Sequence, residues 1–277
     1  MAGSRAKRRV RRLPHLLRPS GRAALRALAS GRALLAFDFD GTLAPLAGRP
    51  QQARMTARTR KLLAAVARLY PCVVISGRAR HDLVRRLGRV PVAAMAGSHG
   101  AEAHDGAAQG PRSRVRSWAR HLRRQLSRLR GVVLEVKPHG VAVHYREAED
   151  KRQVRAIILG VVAALEDARH IHGKDVVEVV ATGSPNKGDA LAAIRRRLKP
   201  TVTLYVGDDV TDEDAFSCTG PGGLLPVRVG HADATAALFR LDEQGEVEML
   251  LHALILLAHS ERTAKVPAPL TPADLGP

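Results

Sequence analysis

Aromatic residues make up only 3% of this 277-residue chain, so its core must be assembled from Ala, Val, Leu and Ile. That scarcity argues against an immunoglobulin-like sandwich and against RNA modules that stack bases on exposed rings. Cysteine occurs twice, at Cys72 and Cys218, too few for a disulfide framework or a structural zinc site. A reducing, cytoplasmic setting is therefore expected. No apolar run approaches the roughly 20 residues of a membrane span, so a soluble globular protein with no membrane contact is expected. Acids are missing from residues 1–32, which carry ten basic side chains, and from residues 112–130. The first stretch also lacks the uninterrupted apolar segment and small-residue cleavage site of a secretory signal.

Apolar residues reach 45%, enough for a packed core. The balance of 45 Lys+Arg against 26 Asp+Glu leaves a net charge of +19, which first suggests a polyanion or an anionic substrate. Charge runs are more often solvated faces, and position decides between the two. Residues 1–32 read as a flexible basic arm, the expected place for any nonspecific polyanion contact. Residues 263–277, with Pro267, Pro269, Pro272 and Pro277, read as a Pro-rich tail.

Between them, strand and helix patterns alternate. Leu34-Leu35-Ala36-Phe37, Cys72-Val73-Val74-Ile75, residues 92–96, 202–206 and 224–229 are short apolar runs suited to buried parallel strands. Helical spacing over 55–69, through Leu83 and Leu87, and over 189–198 and 247–259 fills the gaps. The expectation is an α/β fold: a Rossmann-like parallel-sheet core with helices on both faces and a ligand site beyond the strand carboxyl ends. The rhythm breaks near Asp105-Gly106. A basic helix over 112–130 is followed by strand-like runs at 132–136 and 141–145 separated by Pro138-His139-Gly140, a hairpin signal. A helix over 151–169 and a strand over 176–180 complete an inserted α+β domain at 104–182, leaving 33–103 and 183–262 as the core.

The chemistry-bearing residues fall at element ends. Asp38-Phe39-Asp40-Gly41-Thr42 closes the first strand, where side chains at i and i+2 share a face, so two carboxylates project together. Anions that close need a cation or a shared proton. Gly207-Asp208-Asp209-Val210-Thr211-Asp212-Glu213 brings more carboxylates to a second strand end. Oxygen donors without Cys or His suit a hard cation, Mg²⁺ before zinc. Ser76-Gly77-Arg78 follows a third strand and Asn186-Lys187-Gly188 opens a helix, so a hydroxyl and an ammonium stand where a phosphoryl group could be cradled. Each alone is common as a turn acid, a cap or a solvated lysine. Their conjunction in this order is not.

These residues resemble the four signature motifs of the haloacid dehalogenase superfamily of aspartyl phosphohydrolases, over about residues 33–260, and the insertion sits where that superfamily carries its C2-type cap. Finer features resemble the trehalose-6-phosphate phosphatase family: the acidic run from Gly207 to Phe216, Gly97-Ser98-His99-Gly100-Ala101-Glu102, Glu135-Val136-Lys137, the strand ending His144-Tyr145-Arg146, and Val177-Glu178-Val179. Val180-Ala181 departs from the family's Arg-Pro, the basic leader lies outside its pattern, and nothing reads as an attached glycosyltransferase domain. The resemblance implies a Mg²⁺-dependent phosphatase of trehalose 6-phosphate that acts as a monomer. It implies Asp38 as nucleophile, Asp40 as general acid and base, and Thr42, Ser76 and Lys187 as catalytic support. Asp38, Asp40, Asp208 and Asp209 would hold the metal, and Gly77, Arg78, His99, Glu102, Lys137, His144, Arg146, Glu178 and Asp212 would meet substrate. A phosphatase of sucrose-phosphate or mannosyl-phosphoglycerate type, and a polyanion-binding protein with a vestigial core, are the competing readings.

Overall fold

In a computed structural model, which describes residues 13–48, 50–102, 112–173 and 175–264, the short apolar runs form a six-stranded, wholly parallel sheet. Its strands are β1 (Ala33–Phe37), β2 (Cys72–Ile75), β3 (Ala94–Ala96), β8 (Val202–Gly207), β9 (Gly223–Val229) and β10 (Phe239–Leu241), in the order β10-β9-β8-β1-β2-β3. The side-chain period of two divides each central strand between two cores. Leu35, Phe37, Cys72, Val74, Leu204 and Val206 face one cluster, which also takes in Leu63, Leu83 and Leu250 from α2 (Ala57–Leu69), α3 (Arg80–Leu87) and α8 (Glu246–Ala264). Leu34, Ala36, Val73, Ile75 and Tyr205 face the other, under α6 (Lys187–Leu198) and α7 (Glu213–Phe216). Burial on both faces explains why these strands read as continuous apolar runs rather than alternating ones. From β1 the order runs outward to β2 and β3, and from β8 outward to β9 and β10. The reversal between β1 and β8 is the switch point at which open α/β sheets bind ligands.

A second, antiparallel sheet, ordered β4-β5-β7-β6, is built wholly within residues 104–182 from β4 (Val133–Lys137), β5 (Gly140–His144), β6 (Ala168–Gly173) and β7 (Val176–Ala181). One face packs on Trp118 and Leu122 of α4 (Arg112–Leu126) and on Ile158 and Val162 of α5 (Lys151–Ala163). The helix foreseen over 112–130 ends at Leu126, and it is amphipathic with its apolar stripe buried.

Two further expectations need correction. The helix foreseen over 151–169 stops at Ala163, and β6 follows it after Asp167, which takes φ +51. β6 escapes a reading by pattern because Ala168-Arg169-His170-Ile171-His172-Gly173 is an edge strand, half-exposed throughout, without clean alternation. The arm foreseen over 1–32 is not flexible along its length. Residues 1–12 lie outside the described residues, but Leu16 is fully buried and α1 (Arg22–Ser30) buries Leu28 against the core. A thin Leu stripe among arginines is sufficient for that packing. The expected tail lies outside the described residues from 265 onward.

Candidate active site

Four elements of the parallel sheet deliver side chains to one cleft of about 140 Å³. Asp38 leaves β1 with its backbone N–H on the Val206 carbonyl at 2.9 Å, so the carboxylate is set by the sheet itself. The chain then turns back: Gly41 N–H donates to the Ala44 carbonyl at 2.7 Å and Ala44 N–H to the Phe39 carbonyl at 2.8 Å. Gly41 is required twice over, by its φ of +75° and because a Cβ there would come within 2.0 Å of the Asp208 carboxylate. Asn186 and Asp189 form a reciprocal capping box that fixes the start of α6 and so the stem of Lys187.

Lys187, buried, donates to Asp212 Oδ1 at 2.8 Å and lies 3.0 Å from Asp38 Oδ1. Burial alone would depress the ammonium's pKa, but Asp212 and Asp38 outweigh it and hold it above the ordinary lysine range. The acids respond oppositely. Burial pushes Asp38 well up despite Lys187, and burial with Asp212 and Asp209 nearby pushes Asp208 up to about 8. Carboxylate oxygens of Asp38, Asp208 and Asp212 lie within 4.8 Å of one another, and the buried Oδ1 of Asp208 has no hydrogen-bond partner in the structure. Crowded, buried carboxylates with an unpartnered oxygen fit a divalent cation.

Asp212 is the surprise of the cluster. Its Oδ1 accepts from Lys187 and from Tyr205 Oη, both at 2.8 Å, and its Oδ2 accepts the backbone N–H groups of Asp208 at 3.0 Å and Asp209 at 2.9 Å. Expected to meet substrate, it does not line the cleft but braces Lys187 and the acidic turn. Asp209 does line the cleft, yet its Oδ1 accepts Val210 N–H at 2.8 Å and it stands outside the three-carboxylate cluster.

Asp40 is clamped: Arg78 Nε and Nη2 meet its two oxygens at 2.6 Å each, while Arg78 Nη1 holds Asp82 Oδ2 at 2.8 Å. The same guanidinium stands over the Phe39 ring at 5.5 Å. Ser76, fully buried at the end of β2, accepts the Arg78 backbone N–H at 3.3 Å and keeps its hydroxyl hydrogen for another acceptor. Thr42 is buried with its Oγ1 unpartnered and does not line the cleft; its carbonyl takes Gln244 Nε2 at 2.9 Å.

The antiparallel sheet closes over these groups. Lys137 Nζ donates to the Gly77 carbonyl at 2.8 Å and to Glu178 Oε1 at 2.9 Å, and Glu178 Oε2 meets His99 Nε2 at 2.8 Å. Burial would raise Glu178, but Lys137 and His99 hold it well below the usual carboxylate range. Gly77 admits the His99 ring, since a Cβ would come within 2.6 Å of it. His144 and Arg146 line the cleft from the cap side, His144 Nε2 on Glu135 Oε2 at 2.9 Å and Arg146 on the Ala47 carbonyl. Glu102 does not join them. Its oxygens are taken by Ser98 Oγ at 2.5 Å and Arg80 N–H at 3.0 Å, so it braces the turn that carries His99. Glu135, Tyr205 and Asp82, not among the expected site residues, complete the arrangement. Only Glu135, two residues from Lys137 on the same strand face, carried a signal that could have found it.

A cleft at the sheet's switch point thus holds a buried Asp–Lys pair and clustered carboxylates beneath a second sheet. The trehalose-phosphatase family model matches residues 36–244, and the chain belongs to that family. Trehalose-phosphate phosphatases of Mycobacterium tuberculosis and Mycobacterium marinum are 37% identical over 263 residues and 35% over 258, each alignment covering 87% of this chain and 65% of the relative. The chain thus spans just under two thirds of the length of these relatives. Among solved structures, the C-terminal domain of C. albicans trehalose-6-phosphate phosphatase superposes with a TM-score of 0.73 at 24% identity, covering 90% of this chain and 99% of that one. Aspergillus fumigatus trehalose-6-phosphate phosphatase gives 0.59 at 26% identity, covering 90% and 100%.

Proposed function

We propose that this protein hydrolyses trehalose 6-phosphate to trehalose and phosphate in the cytoplasm. The observation that carries the reading is the pairing of a core that can handle only a phosphoryl group with Lys137, Glu178, His144 and Arg146 supplied from above. Asp38 attacks phosphorus; the bond to the sugar oxygen breaks, and that oxygen takes a proton from Asp40. Asp40 then accepts a proton from water as its oxygen attacks the aspartyl phosphate, restoring Asp38 and releasing phosphate. In the structure both Asp40 oxygens accept from Arg78. For the first step, Arg78 must release one oxygen to a proton. Lys187 and Ser76 offset charge on the phosphoryl oxygens. Mg²⁺, held by Asp38, the Asp40 carbonyl and Asp208 with Asp209 alongside, would add Lewis-acid stabilisation of the same charge.

Phosphate release from a panel of sugar phosphates, with Mg²⁺ and with chelator, tests the reading. Trehalose 6-phosphate should be the preferred substrate, chelator should abolish turnover, and Asp38→Asn should be inactive while still unfolding cooperatively. Preference for sucrose 6-phosphate or mannosyl-phosphoglycerate would reassign the substrate. Turnover by Asp38→Asn at the wild-type rate would refute the nucleophile.

A further inference from the structure

Beside the catalytic cleft, α3 and the segment before α2 wall a second cavity of about 470 Å³. Five arginines face it, Arg54, Arg60, Arg78, Arg85 and Arg86, against two carboxylates, Asp82 and Glu135. The carboxylates are already spent. Asp82 Oδ2 accepts from Arg78 Nη1 at 2.8 Å and Arg86 Nε at 2.7 Å, and its Oδ1 accepts from Arg85 Nη2 at 3.0 Å. Glu135 is held by His144 at 2.9 Å. Three guanidinium groups therefore share one anion.

The remaining cations have no charge to meet. Arg60 places a single nitrogen on two neutral carbonyls, those of Arg86 and Leu87, at 2.7 and 3.1 Å. Arg54 is exposed and makes no hydrogen bond or ion pair among the described residues. Arg85 offers two further donor nitrogens beyond the one on Asp82. Guanidinium forks match the oxygens of phosphate in pairs, and several of them around one concavity suit an anion with more than one charge. A volume of this order is that of a small-molecule pocket.

We propose that this cavity binds a small, multiply charged phosphate anion, with Arg54, Arg60 and Arg85 as its direct contacts. Binding here does not depend on the hydrolytic reading, because none of these three residues lines the catalytic cleft. The test is calorimetric titration of the full chain with inorganic pyrophosphate at low salt in chelator. The catalytic cleft sets Lys187, Lys137 and Arg146 beside Asp38, Asp208 and Asp209, so a variant in that cleft is needed to assign the heat to the arginine cavity. One saturable site per chain is expected. Arg54→Ala/Arg85→Ala should weaken it at least tenfold without moving the melting curve, as both side chains are exposed. Arg85→Gln alone should weaken it by less, and Ser76→Ala in the catalytic cleft should leave it unchanged. Absence of saturable binding, undiminished binding by the double variant, or loss of binding in Ser76→Ala would each overturn the proposal.

Discussion

At the scale of single residues, the site rests on one carboxylate set behind the cleft. Asp212 is fully buried and takes four donors, which orders Lys187 for the phosphoryl group and holds the Asp208–Asp209 backbone in its turn. Tyr205→Phe removes one neutral donor and leaves three, so a loss of about 1–2 kcal/mol is expected. Asp212→Asn is a different matter. It strips Lys187 of its better-aligned anion and sets an amide N–H₂ where acceptors are needed, and breaking a buried pair costs about 3–5 kcal/mol. Denaturant unfolding of both variants checks the ranking; equal losses would mean the phenol matters as much as the ion pair. The residues of the site that are legible in sequence, Asp38, Asp40, Ser76, Lys187 and Asp208, are those whose position follows from a strand or helix ending beside them. Asp212 and Glu102 lie in the same motifs, but their roles depend on partners that only the folded chain supplies, such as Tyr205 and the Arg80 N–H.

At the scale of elements, the two sheets are joined through Glu178 of β7, which meets His99 beyond β3 and Lys137 of β4, itself on the Gly77 carbonyl after β2. The carboxylate is held below its ordinary range, so its ionised form favours the folded state. That contribution is complete above the unfolded carboxylate pKa of about 4.3 and is lost as pH falls through and below it. Glu178→Gln should therefore lower Tm clearly at pH 7, with the gap to wild type narrowing between about pH 5 and 3. Thermal unfolding across that range decides it, and a gap independent of pH would show that Glu178 acts through packing alone. The elements themselves were legible wherever burial imposes a pattern on both faces, as in β1, β2 and β8. They were lost at two of the four sheet edges, where β6 and the three-residue β10 are fixed by pairing with β7 and β9 rather than by their own side chains.

At the scale of the whole molecule, the basic N-terminal stretch is divided in function. Pro14 and Leu16 pair with Arg240 beside β10, the Leu16 N–H donating to the Arg240 carbonyl at 3.0 Å and the Arg240 N–H to the Pro14 carbonyl at 3.1 Å. His15 lies with Asp242 and Glu246 in a cluster whose ligand atoms fall within 4.8 Å. That cluster is a clasp rather than a metal site. The Leu17 N–H donates to His15 Nδ1 at 3.2 Å, so the ring proton sits on Nε2 and points at Glu246 Oε2, 3.0 Å away. Asp242 is engaged by Arg240, and Arg18 stands 3.7 Å from it. Behind the clasp, α1 seals one face of the core with Leu28, beside the buried Leu16. Burying each such side chain stabilises by roughly 1.5–3 kcal/mol, so removing both forfeits about 3–6 kcal/mol. Against a typical total of about 5–15 kcal/mol, that loss is severe. Deleting residues 1–12 keeps Pro14, the His15 clasp and α1, and Tm and phosphate release should stay at wild-type values. Deleting 1–30 should lower Tm by well over 5 °C or leave the protein insoluble, at the loss of about 2–4 °C per kcal/mol expected for a chain of this size. A 1–30 deletion that melts with the intact chain would mean that α1 is a passenger on the sheet and that the core closes without it.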